Sequence, residues 1–318
     1  VLEMGGLLSD TPFRFFDGDN KLLALRPDCT LPVARLTALR LKNKKGPFRF
    51  QYSQRVFREQ DSMYGEAREF TQAGIELIGQ AGYVADAEVI CMLFDALTAA
   101  GIEDFTVALG TVKVLNALVA GAGGDEQWQA QVREAFHKSD FVAVNRLASA
   151  KGVRQIFGDA IKSLLLIRGG VEAIERCRAM VAPLGCDDGL DELQVVFELV
   201  ESTEDAGKLL VDFSIISSFD YYTGIVFKAY APQLGRSLGS GGRYDKTLEA
   251  FGRKEPAAGF ALGLERLMAA LEAQGAKPPV LEPDEVVSCE DGESVAELFS
   301  RAAQLRREGK SVVIGEVI

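Results

Sequence analysis

Apolar positions recur along this chain with two periods, close to 2 and close to 3.6, and the switches between them outline its elements. Residues 13–26 read FRFFD, GDN, KLLALR: two apolar runs around Gly18, Asp19 and Asn20, the pattern of a β-hairpin. In 30–42, Leu31, Ala34, Ala38 and Leu41 fall at helical spacing, with Thr30 as the expected cap and Pro32 in the first turn. Residues 47–58 alternate, placing Phe48, Phe50, Tyr52, Val56 and Arg58 on one face of a strand. The polar stretch 59–66 reads as a loop and 67–78 as the returning strand. Gly74 interrupts any helix there, Thr71 and Ile75 are β-branched, and the first strand needs an antiparallel partner.

Residues 86–100 predict an amphipathic helix, with Val89, Ile90, Leu93, Phe94 and Leu97 inward and Asp86 as cap. A strand at 105–109 follows. From about 111 to 206 helical patterns succeed one another, at 111–121, 125–137, 140–150, 159–167, 170–182 and 190–202. Strands return at 208–216 and 220–230, and GRSLGSGGRYD (235–245) reads as a Gly-rich turn. AAGFALGLERLMAAL runs strand into helix, with Leu264, Leu267, Met268 and Leu271 as the expected buried stripe and Arg266 off it. The linker 275–284 carries three prolines, and the tail predicts a βαβ-like unit with strands at 285–289 and 311–315 around a helix at 292–308.

Composition narrows the classes. The chain has 318 residues, 47% of them hydrophobic and 25% charged, as in an ordinary globular protein of one large domain and a smaller one, or two to three in all. With 35 basic and 46 acidic residues, net −11, binding to nucleic acid by counterion release is not expected. No run of 18 apolar residues suggests a membrane span, and no secretory leader is visible. The opening VLEMGG, with no starting Met, suggests a chain missing its true beginning. Cys29, Cys91, Cys177, Cys186 and Cys289 are scattered without a CxxC, which suits a reducing cytoplasm. A single histidine, His137 in a polar helical stretch, leaves little basis for His-based metal sites or for Ser-His-Asp and Cys-His catalysis, and reads as a solvated helix-end residue.

Polar residues inside an apolar strand need a reason. On the strand reading, Arg68, Phe70, Gln72, Gly74 and Glu76 share one face. Gln72 and Glu76 with Gly74 between them would form a small polar recess fit for a cationic or amine-bearing ligand. The alternative, equally weighted on these residues, is that Glu76 pairs with a neighbouring Arg as structural glue. LRPDCTLP, DYYTG and GSGGRYD add polar and glycine-rich segments where ligands often bind. None is a P-loop.

Read in order, LRPDCT, GEAREFTQAGIELIG, DYYTGIVF, GSGGRYD and GFALGLERL resemble the catalytic domain of class II histidyl-tRNA synthetases. They resemble still more closely its paralogue, the regulatory subunit of ATP phosphoribosyltransferase, whose forms RPDxTxPVAR, REFTQAGIELIG and SSFDYYTG they share. The likeness covers roughly residues 13–110 and 208–274. It implies an α+β fold: a class II aminoacyl-tRNA synthetase-like antiparallel sheet flanked by helices. That domain would comprise 1–110 and 207–274, with a helical insertion at 111–206 and a linker and short α/β C-terminal tail at 275–318. Motif 2 falls on 57–58 and 67–76, motif 3 on 259–267, and motif 1 upstream of residue 1. The resemblance also implies site residues. Asp28, Thr30 and Gln72 would hold a histidine α-amine, and Glu76 and Tyr222, with Tyr221 nearby, its imidazole. Arg58 and Arg266 would be a vestigial ATP-phosphate site.

Departures from the synthetase pattern point away from catalysis. A synthetase arginine that promotes adenylate formation is Ser217 here, and a phosphate-facing arginine in the motif 2 loop is Glu66. Losing a guanidinium beside a developing pentavalent phosphate costs orders of magnitude in rate. Roughly 35 residues follow the linker, against the roughly 100 of an anticodon-binding domain. The resemblance therefore implies a non-catalytic, cytoplasmic regulatory subunit of ATP phosphoribosyltransferase, serving the first step of histidine biosynthesis and its feedback inhibition by histidine. Its partners would be the short-form catalytic subunit and a second copy of itself, as a homodimer within a hetero-oligomer. Histidine would be the effector; no cofactor, metal, tRNA or membrane is expected. The alternatives are a histidyl-tRNA synthetase truncated of its anticodon-binding domain and a stand-alone histidine sensor.

Overall fold

The computed structural model describes residues 12–59, 67–203, 207–215, 221–277 and 282–315. The chain forms two compact units, Val1–Gly275 and Ala276–Ile318.

In the first unit the strands are β1 (Arg14–Phe16), β2 (Leu22–Ala24), β3 (Phe48–Phe57), β4 (Glu69–Ile78), β5 (Thr106–Thr111), β6 (Arg168–Gly169), β7 (Leu209–Asp212), β8 (Ile225–Tyr230), β9 (Ser237–Arg243) and β10 (Ala257–Gly263). The helices are α1 (Thr30–Arg40), α2 (Tyr83–Ala99), α3 (Val112–Gly121), α4 (Glu126–His137), α5 (Phe141–Ala148), α6 (Gln155–Leu164), α7 (Glu172–Val181), α8 (Leu190–Glu201) and α9 (Leu264–Ala273). β1 and β2 form the expected hairpin, and the other strands make one sheet in the order β3-β4-β10-β9-β8-β5-β7-β6. Its pairs are antiparallel except β5 with β7. The fold is α+β with a mostly antiparallel central sheet.

One face of the sheet packs against α2 and the helical run α3–α8, and a single apolar cluster joins Val89, Leu93 and Leu97 to Leu115, Ile161, Leu193 and Phe227. The helices of 112–201 thus share the core of the sheet. The opposite face carries Gln72, Gly74 and Glu76.

Several expectations change in detail. The GRSLGSGGRYD segment is mostly the central strand β9, not a turn. Its glycines leave room for neighbours: a Cβ at Gly241 would meet the carbonyl of Gly259 on one side and the Phe227 ring at 2.5 Å on the other. In α9, Leu267 and Ala270 are buried, whereas Leu264 and Met268 are exposed, because the helix leaves β10 with its 267/270 edge inward. α6 begins at Gln155, four residues ahead of its expected start at 159. The short β6 gave no period to read. His137 ends α4 half-buried rather than solvated.

Asp86 does not cap α2, which begins at Tyr83 after Gly82. It lies in the first turn and pairs instead with Arg243 at the end of β9, at 2.7 Å. The pair is nearly dry, with side chains 9% and 7% exposed. The guanidinium also donates to Asp245 at 2.9 Å and to the Gly82 carbonyl at 3.3 Å. This ties the start of α2 to the sheet.

In the second unit β11 (Glu285–Val287) and β12 (Val312–Ile314) pair in parallel across α10 (Val295–Arg307). Ser294 and Glu297 form a complete capping box on α10.

Breaking the Asp86–Arg243 pair from one side strands a buried charge. Arg243→Met is expected to cost about 3–5 kcal/mol, and the double variant with Asp86→Leu to recover part of that loss. Urea unfolding of the two variants checks this; equal losses would place the stability elsewhere.

Candidate functional site

β4 builds the floor of the site because its register is fixed on both sides. Glu76 lies opposite Phe50 of β3 and Gly259 of β10; Gly74 lies opposite Tyr52 and Ala261; Gln72 lies opposite Gln54 and Gly263. Period-2 geometry turns Gln72, Gly74 and Glu76 to one face.

Glu76 is 1% exposed and is held by hydroxyls from three other segments. Thr30 Oγ1 donates to Oε1 at 2.7 Å and the Tyr52 phenol to the same oxygen at 3.3 Å. The Tyr244 phenol, just past β9, donates to Oε2. A Cβ at Gly259 would collide with that Oε2, so the glycine is what lets the carboxylate lie flat on β10. Burial lifts the Glu76 carboxyl to about 8. The hydroxyls from Tyr244, Thr30 and Tyr52 pull the other way, and the nearby Asp28 charge adds to the rise. Burial likewise holds Tyr244, Tyr52 and Tyr221 well above the ordinary phenol value, so they remain neutral donors.

These contacts revise two expectations. Thr30 is the first residue of α1, not its cap, and its hydroxyl is spent on Glu76; the first-turn amide of Leu31 goes instead to Asp28 Oδ1 at 3.1 Å. The recess expected over Gly74 is filled by Tyr52, whose phenol oxygen comes within 2.6 Å of where a Cβ would stand. Glu76 is therefore neither beside an open recess at Gly74 nor bridged to an arginine.

The remaining residues surround this centre. Asp28 is 2% exposed and acts electrostatically on Glu76, Tyr52 and Tyr221. The Tyr221 ring stands 5.8 Å from that of Tyr244 at 72° and 4.8 Å from that of Tyr222. Asp28, Thr30, Glu76, Tyr221 and Tyr222 thus gather around one buried point. Gln72 lies about 13 Å further along β4, at 3.3 Å per residue. It is 7% exposed, and its Oε1 is buried with no hydrogen-bond partner among the described residues. A buried amide oxygen in that state has capacity to accept one more hydrogen bond.

Arg58 and Arg266 belong to the Gln72 end. Arg58 Nε donates to the Pro27 carbonyl at 2.8 Å, with its guanidinium 5.1 Å from the Phe70 ring centre. Arg266 Nη1 donates to the Ser237 carbonyl at 3.1 Å. Ser217 and Glu66 lie outside the described residues. Among the described residues no cluster of three or more His, Cys, Asp or Glu could hold a metal ion, and no helix is long and apolar enough to cross a membrane.

Sequence reasoning missed Tyr52 and Tyr244. The signal for Tyr52 was an aromatic residue directly opposite a glycine in an antiparallel pair. Tyr244 stood in the GSGGRYD segment, where the glycines drew attention away from it.

Known proteins match this chain along nearly its whole length. The histidyl-tRNA synthetase family profile matches residues 2–267. An ATP phosphoribosyltransferase regulatory subunit of Moorella thermoacetica is 39% identical over 95% of this chain and 76% of its own length. One from Symbiobacterium thermophilum is 37% identical over 95% and 75%. A crystal structure described as an ATP phosphoribosyltransferase regulatory subunit/histidyl-tRNA synthetase from Bacillus halodurans superposes with a TM-score of 0.80 at 32% identity, covering 97% of this chain and 78% of that one. Matched at this identity and coverage, the chain belongs to the family of ATP phosphoribosyltransferase regulatory subunits, which share the histidyl-tRNA synthetase scaffold.

Proposed function

We propose that this chain is the non-catalytic regulatory subunit of an ATP phosphoribosyltransferase, needed for the first step of histidine biosynthesis and for its inhibition by histidine. Its relatives carry the subunit role in their names. The observation that carries the histidine half is the buried Glu76 carboxyl ringed by hydroxyls, with the unsatisfied Gln72 amide oxygen on the same strand face. On this reading Glu76 and Tyr222, with Tyr221, take the imidazole, and Asp28, Thr30 and Gln72 take the α-amine, with the Thr30 hydroxyl exchanging its bond to Glu76 for the ligand. The partner is a short-form catalytic subunit, and the chain pairs with a second copy inside the hetero-oligomer. Histidine inhibits by binding one state of that assembly better than another. Mixing the chain with a short catalytic subunit should raise phosphoribosyl-ATP formation, and histidine should lower it; no rise would refute the subunit role.

Aminoacylation is not part of this reading. Ser217 and Glu66 occupy the sequence positions of two synthetase arginines, so neither position supplies a guanidinium to steady ATP. ATP/pyrophosphate exchange dependent on histidine should stay at background. Robust exchange would instead favour an active synthetase.

The carboxyl near 8 gives histidine binding a distinctive pH profile. A free imidazole titrates near about 6.5. Between these values the unliganded site already holds one proton and the imidazole none, so an imidazolium–carboxylate pair forms by internal transfer. Below that window binding must release a proton, and above it must take one up. Affinity should therefore be greatest between about 6.5 and 8, with no net proton exchange there. Calorimetry in two buffers of different ionisation enthalpy reads this directly. Glu76→Gln replaces a charge-assisted bond with a neutral one and should weaken binding about tenfold. Unchanged affinity would move the histidine site elsewhere.

The same carboxyl affects stability without ligand. Its folded pKa of about 8 lies above its ordinary 4.5, so folding takes up a proton between them and stability falls as pH rises through that window. The Glu76→Gln chain should lack this fall. Melting curves from pH 5 to 8.5 that run parallel for both proteins would contradict it.

A further inference from the structure

A second charged site lies at the other end of the β3–β4 pair. A hollow of about 450 Å³, wide open to solvent, is lined by Lys42, Lys44, Lys45 and Arg253, against a single carboxylate, Glu255. Four cations to one acid is a sharp local reversal in a chain of net −11. The volume falls in the range of small-ligand sites.

The cationic rim is held in place by a buried clamp. Arg253, its side chain 12% exposed, donates Nη1 to the carbonyls of Thr37 and Leu41 at 3.3 and 2.8 Å, and Nη2 to that of Lys44 at 3.1 Å. It pairs with Glu255 at 2.7 Å, and its guanidinium lies 5.1 Å from the Phe48 ring centre. Arg253 thereby covers the carbonyls that end α1, where the helix dipole would repel an anion. The Lys44 amide bonds back to Leu41 at 2.8 Å, fixing the turn that bears the lysines. Lys42, Lys44 and Lys45 are exposed and form no ion pair among the described residues. Three lysines within four residues on a braced rim concentrate positive charge that a multiply charged anion would balance.

We infer that this cavity binds a small, multiply charged phosphate anion: the three lysines supply the charge, and the Arg253–Glu255 clamp positions them. Lysine suits such a ligand as a point charge that does not demand one orientation. The site is separate from Arg58 and Arg266. These belong to the far end of the hairpin, about 30 Å away along ten residues of strand. It is also independent of the proposed histidine pocket.

Titration calorimetry of the full chain with inorganic pyrophosphate at low ionic strength tests the site. One saturable binding event is expected, weakened at least about tenfold in the Lys42→Gln/Lys44→Gln/Lys45→Gln variant and kept in an Arg58→Gln/Arg266→Gln variant. The exposed lysines can be changed without touching the core, and circular dichroism verifies that both the lysine and the arginine variants are folded before their binding is compared. Absence of binding at millimolar pyrophosphate, equal binding by the lysine variant, or loss confined to the arginine variant would each overturn the inference.

Discussion

A carboxyl group that cannot reach water dictates much of this molecule. Glu76 is enclosed by α1, β3, β4, β10 and the residue following β9, and each must yield something to it. β10 gives up a side chain at Gly259, α1 spends the hydroxyl of its first residue, and two tyrosines are buried with their phenols turned inward. An isolated charge in such a place would cost several kcal/mol. Hydroxyl partners reduce that cost in a way an arginine would not. A hydroxyl can donate to a carboxylate or accept from a carboxylic acid, so the cluster remains satisfied in either protonation state. An arginine would hold the group permanently ionised. Partners of this kind suit a site whose charge changes with its occupant.

Such a centre works only on a rigid support, and the sheet supplies one. β4 is paired on both sides through ten and seven residues, so neither Gln72 nor Glu76 can turn away without breaking a ladder. The Arg243–Asp86 pair fastens the strand before Tyr244 to the start of α2. That keeps Tyr244 within reach of Glu76. The helices of 112–201 press on the opposite face through the same apolar cluster, so the layer beneath the site is dense and resists local deformation.

The elements with clean periodicity were legible in the sequence. β3, β4, α1 and the six helices between 112 and 201 follow from alternation or from 3.6-residue spacing, because burial of one face enforces both. β9 was not legible: its glycines answer to the Phe227 ring and to β10, partners distant in sequence, and local propensity reads them as a turn. Asp86 failed for a related reason. An acid at the start of a helix is ambiguous between a cap and a long-range ion pair, and Arg243 lies 157 positions away. In the site, the cradle of Asp28, Thr30 and Glu76 came from motif order. The role of Tyr52 depended on a cross-strand register that fixes which ring fills the space over Gly74.

The strand geometry also bears on how a scaffold can change its chemistry. Along β4 the proposed amino-acid contacts and the Arg58–Arg266 end are separated by residues that pack into the sheet. Charge at one end can therefore be lost without disturbing register at the other. Arg58 and Arg266 each donate to a backbone carbonyl, of Pro27 and Ser237, so they hold their strand ends in shape whatever becomes of their charge. A guanidinium with such a backbone role contributes to the fold independently of any ligand it could bind. On that argument, Arg58 and Arg266 keep a structural role at the ends of their strands whether or not a phosphate ever meets them.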